Sequence, residues 1–256
     1  MPDSAAKRAS QFVDIRWFDE VDSTNLRLVE LTRVGADDAC DTVIVADHQT
    51  RGRGRRGRTW ESPPGASLLV SVVLRAPAPD LAQLTTVCAA LGAADACKEV
   101  VGVRPSLKWP NDLMVDGNKV AGILAEAVTP QLVVVGLGLN VDWGDEPMPE
   151  GATSLARLAG PDEDASPARA ALLASYLHHL ETRSRALGVA EGRHHLLDDY
   201  RQACSTLGRA VTVDLGGGER LVGTATGITH WGSLVVTTAD GAQELAAGDV
   251  LHLRSA

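Results

Sequence analysis

No stretch of the 256-residue sequence is apolar over the roughly 20 residues that a membrane-spanning helix needs, and Met1 to Ser10 is too polar for a secretory leader. No membrane role is expected, and the chain reads as cytoplasmic. Cysteine is sparse: Cys40, Cys88, Cys97 and Cys204 are scattered without a C-x-x-C pair, as free thiols of a cytoplasmic protein would be. Aromatic residues make up only 4% of the chain and the net charge is -9, so no general affinity for nucleic acid or an anionic surface is expected. A Walker-type G-x-x-x-x-G-K-[ST] loop is also missing.

Against that acidic background, residues 47 to 60 stand out. Arg51, Arg53, Arg55, Arg56 and Arg58 place five like charges within eight residues, interleaved with Gly52, Gly54 and Gly57. Such a stretch needs solvation or a polyanion to neutralise it, and its glycines let backbone N–H groups approach a ligand. The spacing satisfies G-x-G-x-x-G, but its context rules out the dinucleotide fingerprint. Trp60-Glu61-Ser62-Pro63-Pro64-Gly65 cannot open a useful helix, and no Asp or Glu occurs from Ser62 through Pro79 to reach a ribose. What remains is a phosphate-binding loop that works through guanidinium groups and loop amides.

Hydrophobic residues form 45% of the chain and charged residues 22%, values that support one substantial core plus a small satellite domain. Residues 12 to 19 read as a strand, and Ser23 as the N-cap of a helix carrying Leu28, Leu31 and Val34 and ending at Gly35. Thr42 to Ala46 reads as a buried strand that delivers His48 and Gln49 to the arginine loop. Ser67 to Leu74 is the next strand, and Asp80 to Val101 has helical periodicity. Leu107 to Leu113 places Asn111 and Asp112 on a fixed corner after Pro110. A polar turn with a packed Trp109 is as compatible with that stretch as a metal or phosphate role.

Asp116-Gly117 signals a hairpin between residues 113 to 115 and Lys119 to Glu126. Alone, Lys119 reads as a surface charge, whereas Gly122 within a strand suggests close approach of a ligand or backbone. Leu132 to Val141, with Gly136 and Gly138, reads as a buried strand, residues 142 to 164 as a long loop, and Ala165 to Leu187 and Glu191 to Cys204 as helices. His178-His179 and His194-His195 are not expected to bind metal, because adjacent helical residues point apart. Short β-runs then follow, at Ala210 to Leu215, Leu221 to Ile228, Ser233 to Thr238 and Val250 to Leu253. They suggest a small barrel beyond a boundary near Ser205, which divides the chain into residues 1–204 and 205–256.

Taken in order, the arginine loop, Lys108-Trp109-Pro110-Asn111-Asp112, Lys119-Val120-Ala121-Gly122-Ile123-Leu124 and Gly136-Leu137-Gly138-Leu139-Asn140 resemble the biotin protein ligases. The likeness runs from about Val13 to the C-terminus. It implies an α+β fold: a mixed β-sheet flanked by helices, like that of class II synthetases, followed by a small SH3-like β-barrel. It also implies two steps, in which biotin and ATP with Mg²⁺ give biotinyl-5′-AMP, and the acyl group then passes to a lysine of a biotin carboxyl carrier domain of acetyl-CoA or another acyl-CoA carboxylase.

Carried onto this sequence, the resemblance assigns biotin binding to Ser23, Thr24, Asn25, Gln49, Gly52, Arg53, Gly54, Arg55, Lys119, Gly122 and Gly138. Ser23 is then more than a helix cap. The adenylate would be held by Arg53, Arg55, Arg56, Trp60, Lys108, Asn111, Lys119 and Asn140, with Gly136 also lining the cavity. Arg55, Lys119 and Asp112 would be catalytic, Asp112 by placing the metal or the incoming lysine. Arg51 departs from the small or neutral residue common at its place. With a strand beginning within about a dozen residues of Met1, an N-terminal helix-turn-helix domain has no room, so ligase activity without operator binding is expected.

Anion attack on an anion is slowed by repulsion, which converging cations relieve. A mixed anhydride hydrolyses in water, so the arginine loop is expected to act as a lid, ordered with ligand and mobile without it. A lipoate-attaching ligase and a single-stranded nucleic-acid binder are the competing readings, the latter opposed by the acidic balance and few aromatics. A monomer or weak homodimer is expected, with the sheet edge as the self-pairing surface.

Overall fold

A computed structural model describes residues 12–35, 38–159, 168–246 and 248–252. The first part of the chain runs β1 (Asp14–Val21), α1 (Thr24–Val34), β2 (Thr42–Gln49), β3 (Ser67–Arg75), α2 (Leu84–Val101), β4 (Ser106–Lys108), β5 (Asp112–Val115), β6 (Asn118–Ala127) and β7 (Leu132–Asn140). It continues through α3 (Leu155–Ala159), α4 (Arg169–Ala186), α5 (Ala190–Ala203), β8 (Ala210–Gly216), β9 (Glu219–Ile228), β10 (Leu234–Thr238), β11 (Gly241–Leu245) and β12 (Asp249–His252).

The first seven strands form one sheet in the order β1-β2-β3-β7-β6-β5-β4. Only β1 and β2 run parallel, so the sheet is mixed, as expected. Its centre is set by composition. Ser67-Leu68-Leu69-Val70-Ser71-Val72-Val73-Leu74 is buried at every position, which suits a strand covered on both faces. It pairs along its whole length with β7. On one face α2 and α4 pack against the sheet and each other, and α1 covers the other. The small residues of α2 permit that close layer: a Cβ on Gly92 would lie 3.1 Å from the Leu180 amide nitrogen. The β5–β6 hairpin turns on Asp116 (φ 49°) and Gly117 (φ 80°), the two positive angles of the expected tight turn.

Several local expectations are corrected. The helix expected from Asp80 begins instead as a turn of 3-10 helix at Pro79–Leu81, because Pro79 presets that turn, and α2 proper starts at Leu84. The long loop expected over 142 to 164 contains α3, and the expected helix start at Ala165 lies outside the described residues. Strands β4 and β11 were not expected; both are short, and β11 is exposed at nearly every position. The C-terminal strands form an antiparallel sheet in the order β11-β10-β9-β8-β12. Among the described residues no ladder joins its edges, so barrel closure is not seen, and Leu253 lies outside those residues.

Trp109 joins the two sheets. It is fully buried, its amide N–H donates to Thr206 Oγ1 at 3.1 Å, and its indole N–H donates to the Gly232 carbonyl at 3.1 Å. Removing such a side chain leaves a cavity and an unpaired carbonyl. Trp109→Ala should therefore lower unfolding stability by about 3–5 kcal/mol in a denaturant titration. A change under about 1 kcal/mol would show that the junction does not depend on it.

Candidate functional site

A cavity of about 200 Å³ opens between the N-terminus of α1, the arginine loop, strands β5 to β7 and the start of β12. Of the residues expected in the site, Ser23, Thr24, Asn25, Gln49, Arg53, Gly54, Arg55, Trp60, Lys108, Asn111, Asp112, Lys119, Gly122 and Gly138 line it, as does Gly136. Strand ends and one hairpin bring together segments more than 80 residues apart in sequence, such as Asn25 and Leu124, whose separation is 99.

The floor is a polar chain. Gln49, at the C-terminal end of β2, accepts through Oε1 from the Thr24 N–H at 2.8 Å and the Thr24 hydroxyl at 3.1 Å. Ser71 Oγ lies 2.8 Å from Thr24 Oγ1 and 2.6 Å from Asn25 Oδ1. Asn25 Nδ2 donates to Glu126 Oε2 at 2.8 Å, and Glu126 in turn pairs with Arg53 at 2.9 Å. The network is buried at Thr24, Asn25 and Ser71, where such bonds fix side-chain orientation, and it reaches the arginine loop through the partly exposed Glu126–Arg53 pair. Ser23 makes no side-chain cap to α1; Asp22 instead accepts its N–H at 2.8 Å. The first-turn amide of α1 is satisfied by Gln49, which is why local capping chemistry does not account for Ser23-Thr24-Asn25.

The strand glycines seat protein groups. A Cβ on Gly136 would stand 2.2 Å from Asn25 Oδ1, and one on Gly138 would stand 2.5 Å from the Trp60 ring. A Cβ on Gly122 would meet Lys119 Nζ at 3.0 Å and the Trp60 ring at 3.1 Å. The close approach suggested for Gly122 is therefore made by Trp60 and Lys119.

The opposite wall is cationic. Arg53, Arg55, Arg58, Lys108 and Lys119 face Asp112 and Asp249, leaving an excess of positive charge suited to a multiply charged anion. Lys119 Nζ lies 2.6 Å from Asp112 Oδ1, an ion pair without hydrogen-bond alignment, and 5.5 Å from the Trp60 ring centroid. Burial pushes the Lys108 ammonium below its ordinary proton affinity; Asp112 opposes the shift, while Lys119 and Arg58 add to it. Burial likewise lowers that of Arg55, with Arg56 and Arg58 adding and Asp112 opposing. Asn111 is held by mutual bonds with Ile123: its Nδ2 donates to the Ile123 carbonyl at 2.7 Å, and the Ile123 N–H donates back at 2.9 Å.

Three expected residues stand apart from the cavity wall. Gly52 packs under the Trp60 backbone, where a Cβ would lie 2.2 Å from its carbonyl oxygen. Arg56, in a left-handed conformation (φ 55°), turns outward so that its guanidinium donates to the Asp214 carbonyl at 3.0 Å. Asn140 is buried, with Nδ2 donating to the Thr153 carbonyl at 3.0 Å and Oδ1 3.3 Å from Ser67 Oγ. Conversely, Asp249, Val250 and Leu251 line the cavity and were not expected, because nothing in their local sequence marks them. Among the described residues no group of three or more His, Cys, Asp or Glu could hold a metal unaided. A magnesium ion that arrives on nucleotide phosphates needs only one or two carboxylates, and Asp112 fits that need.

The cavity combines a polar floor with a cationic wall on a mixed sheet that carries a small antiparallel β-module, and the chain matches the biotin/lipoate class of protein ligases. Residues 17–140 match the model of the biotin/lipoate A/B protein ligase family, and residues 206–253 that of the biotin protein ligase C-terminal domain. The chain is 37% identical over 238 residues to the biotin–[acetyl-CoA-carboxylase] ligase of Mycobacterium tuberculosis, covering 91% of this chain and 86% of that one. It is 31% identical to the bifunctional ligase/repressor BirA of Bacillus subtilis, over 91% of this chain and 72% of the other. The solved biotin protein ligase of Aquifex aeolicus in complex with biotin and ATP superposes with a TM-score of 0.78 at 29% identity, covering 95% and 100% of the two chains. The chain belongs to the biotin protein ligase family.

Proposed function

We propose that this protein joins biotin to a lysine of a biotin carboxyl carrier domain in two steps. In the first, a biotin carboxylate oxygen attacks the α-phosphorus of ATP, the bond to the leaving pyrophosphate breaks, and biotinyl-5′-AMP forms. In the second, the lysine amine attacks the acyl carbon, the amide bond forms, and AMP leaves. The observation that carries this reading is the meeting of the Thr24-Gln49-Ser71-Asn25 polar floor with the five-cation wall in one cavity. The floor suits the neutral polar ring system and the wall suits the two anions that must approach.

In this reading Lys119 and Arg55 offset the charge that builds at the carboxylate and α-phosphate, and Arg53 couples the loop to the floor through Glu126. Trp60 offers its face to the adenine side, with Lys108 and Asn111 beside it. Asp112, paired with Lys119, positions the incoming amine and would hold Mg²⁺, which supplies charge neutralisation on the phosphates when bound. The division near Ser205 separates the ligase domain from the C-terminal module. The mutual specificity of the reading is tested by pyrophosphate–ATP exchange, which should depend on biotin and not on lipoate. Mass gain on a purified carrier domain should require biotin and ATP together. Exchange driven by lipoate alone would move the chain to the related class.

A further inference from the structure

Each arginine of the loop meets a carboxylate of this same chain. Arg51 reaches Asp22 at 3.5 Å, Arg53 reaches Glu126 at 2.9 Å, and Arg56 reaches Asp214 at 3.4 Å. Asp249 is different, because three guanidiniums converge on it: Arg55 at 3.7 Å, Arg56 at 3.8 Å, and Arg58 in direct contact. Its neighbour contributes as well, since Arg55 Nη1 donates to the Gly248 carbonyl at 3.1 Å across a separation of 193 residues. Asp249 opens β12, lines the cavity, and keeps its side chain only 25% exposed.

We propose that Asp249 is a positioning residue for the ligase reaction: its carboxylate gathers Arg55, Arg56 and Arg58 and holds the arginine loop over the cavity, tying the C-terminal module to the nucleotide step. Three cations this close repel one another, and without a counter-charge the glycine-rich loop would splay. Gathering them beforehand removes part of the ordering cost that nucleotide binding would otherwise bear. One carboxylate cannot use every donor of three guanidiniums, so N–H groups remain for phosphate oxygens. Asp214 provides an internal comparison, because among the described residues it forms an ion pair with Arg56 alone, and it lies outside the cavity wall.

The kinetic part rests on the ligase reading above; the structural part does not. In full-length protein without nucleotide, trypsin should cleave the loop of Asp249→Asn about tenfold faster than wild type, the scale of one partly buried ion pair. Asp249→Glu should restore protection, and Asp214→Asn should change cleavage by less than about threefold. In biotin-dependent exchange, Asp249→Asn should raise the KM for ATP about tenfold, with the KM for biotin unchanged and kcat at saturating ATP within about threefold. Unchanged cleavage overturns the proposal, and so does a lowered KM for ATP, which would make Asp249 a competitor of phosphate. A drop in kcat that tracks a lowered melting temperature would make its role merely structural and would overturn it too. If wild type shows no biotin-dependent exchange, the functional reading fails while the trypsin comparison still decides the loop.

Discussion

Lys119→Ala is expected to cut biotin-dependent pyrophosphate exchange by about 10²–10³-fold, the usual cost of losing one preorganised charge at a developing anion. The fold should survive the change. The Lys119 N–H still donates to the Gly151 carbonyl at 2.7 Å, its carbonyl still accepts from Thr153 at 2.9 Å, and the side chain is 32% exposed. One complication is that Asp112 loses its partner, and a stranded carboxylate could itself repel the substrate anions. The double variant Lys119→Ala/Asp112→Ala separates the two effects. If the loss comes from the missing ammonium, the double variant is at least as slow as the single one; recovery to near wild-type exchange would show that the stranded Asp112 carboxylate caused the loss and would overturn the roles given to both Lys119 and Asp112.

Arg55→Ala should be nearly as damaging, with about a 10²-fold loss in carrier-domain biotinylation followed by mass gain. Arg55 is the half-buried member of the loop, 22% exposed, and its Nη1 lies 3.4 Å from Asn111 Oδ1. Arg55→Lys should recover only part of the rate, because a point charge cannot reproduce the planar fork that bonds two partners at once. The comparison residue is Arg51, which is 75% exposed and, among the described residues, pairs with Asp22 alone. Arg51→Ala should leave the rate within about twofold, as weak surface pairs do. Equal behaviour of the Arg51 and Arg55 variants would show that the loop acts through its summed charge, with no distinguished position.

These expectations depend on features that differ in how visible they were in one dimension. The arginine loop was legible because like charges and glycines crowded into a few residues are a local anomaly. The central strands β3 and β7 were legible because a run of apolar residues has few other uses. The β5–β6 hairpin followed from Asp116-Gly117, since only a few residue types accept two successive positive φ angles. Short elements escaped. Three-residue β4 and five-residue β11 are held by their neighbours' ladders, which propensity cannot register. Ser23-Thr24-Asn25 shows the opposite failure: the pattern of a helix cap was present, yet the bonds run to Asp22, Gln49, Ser71 and Glu126.

By itself the sequence determined the order of the longer elements, because these follow from local composition and spacing, and its motifs carried the family resemblance that named most of the side chains meeting in the cavity. Tertiary structure alone decided that Gly136 and Gly138 make room for Asn25 and Trp60, that Arg56 and Asn140 turn away from the cavity wall, and that Asp249 joins the arginines. The physical reason is range. Backbone propensity acts over a few residues, whereas packing clearance and ion pairing depend on distance in space, and no property of residue 249 alone says that it will lie beside residue 55.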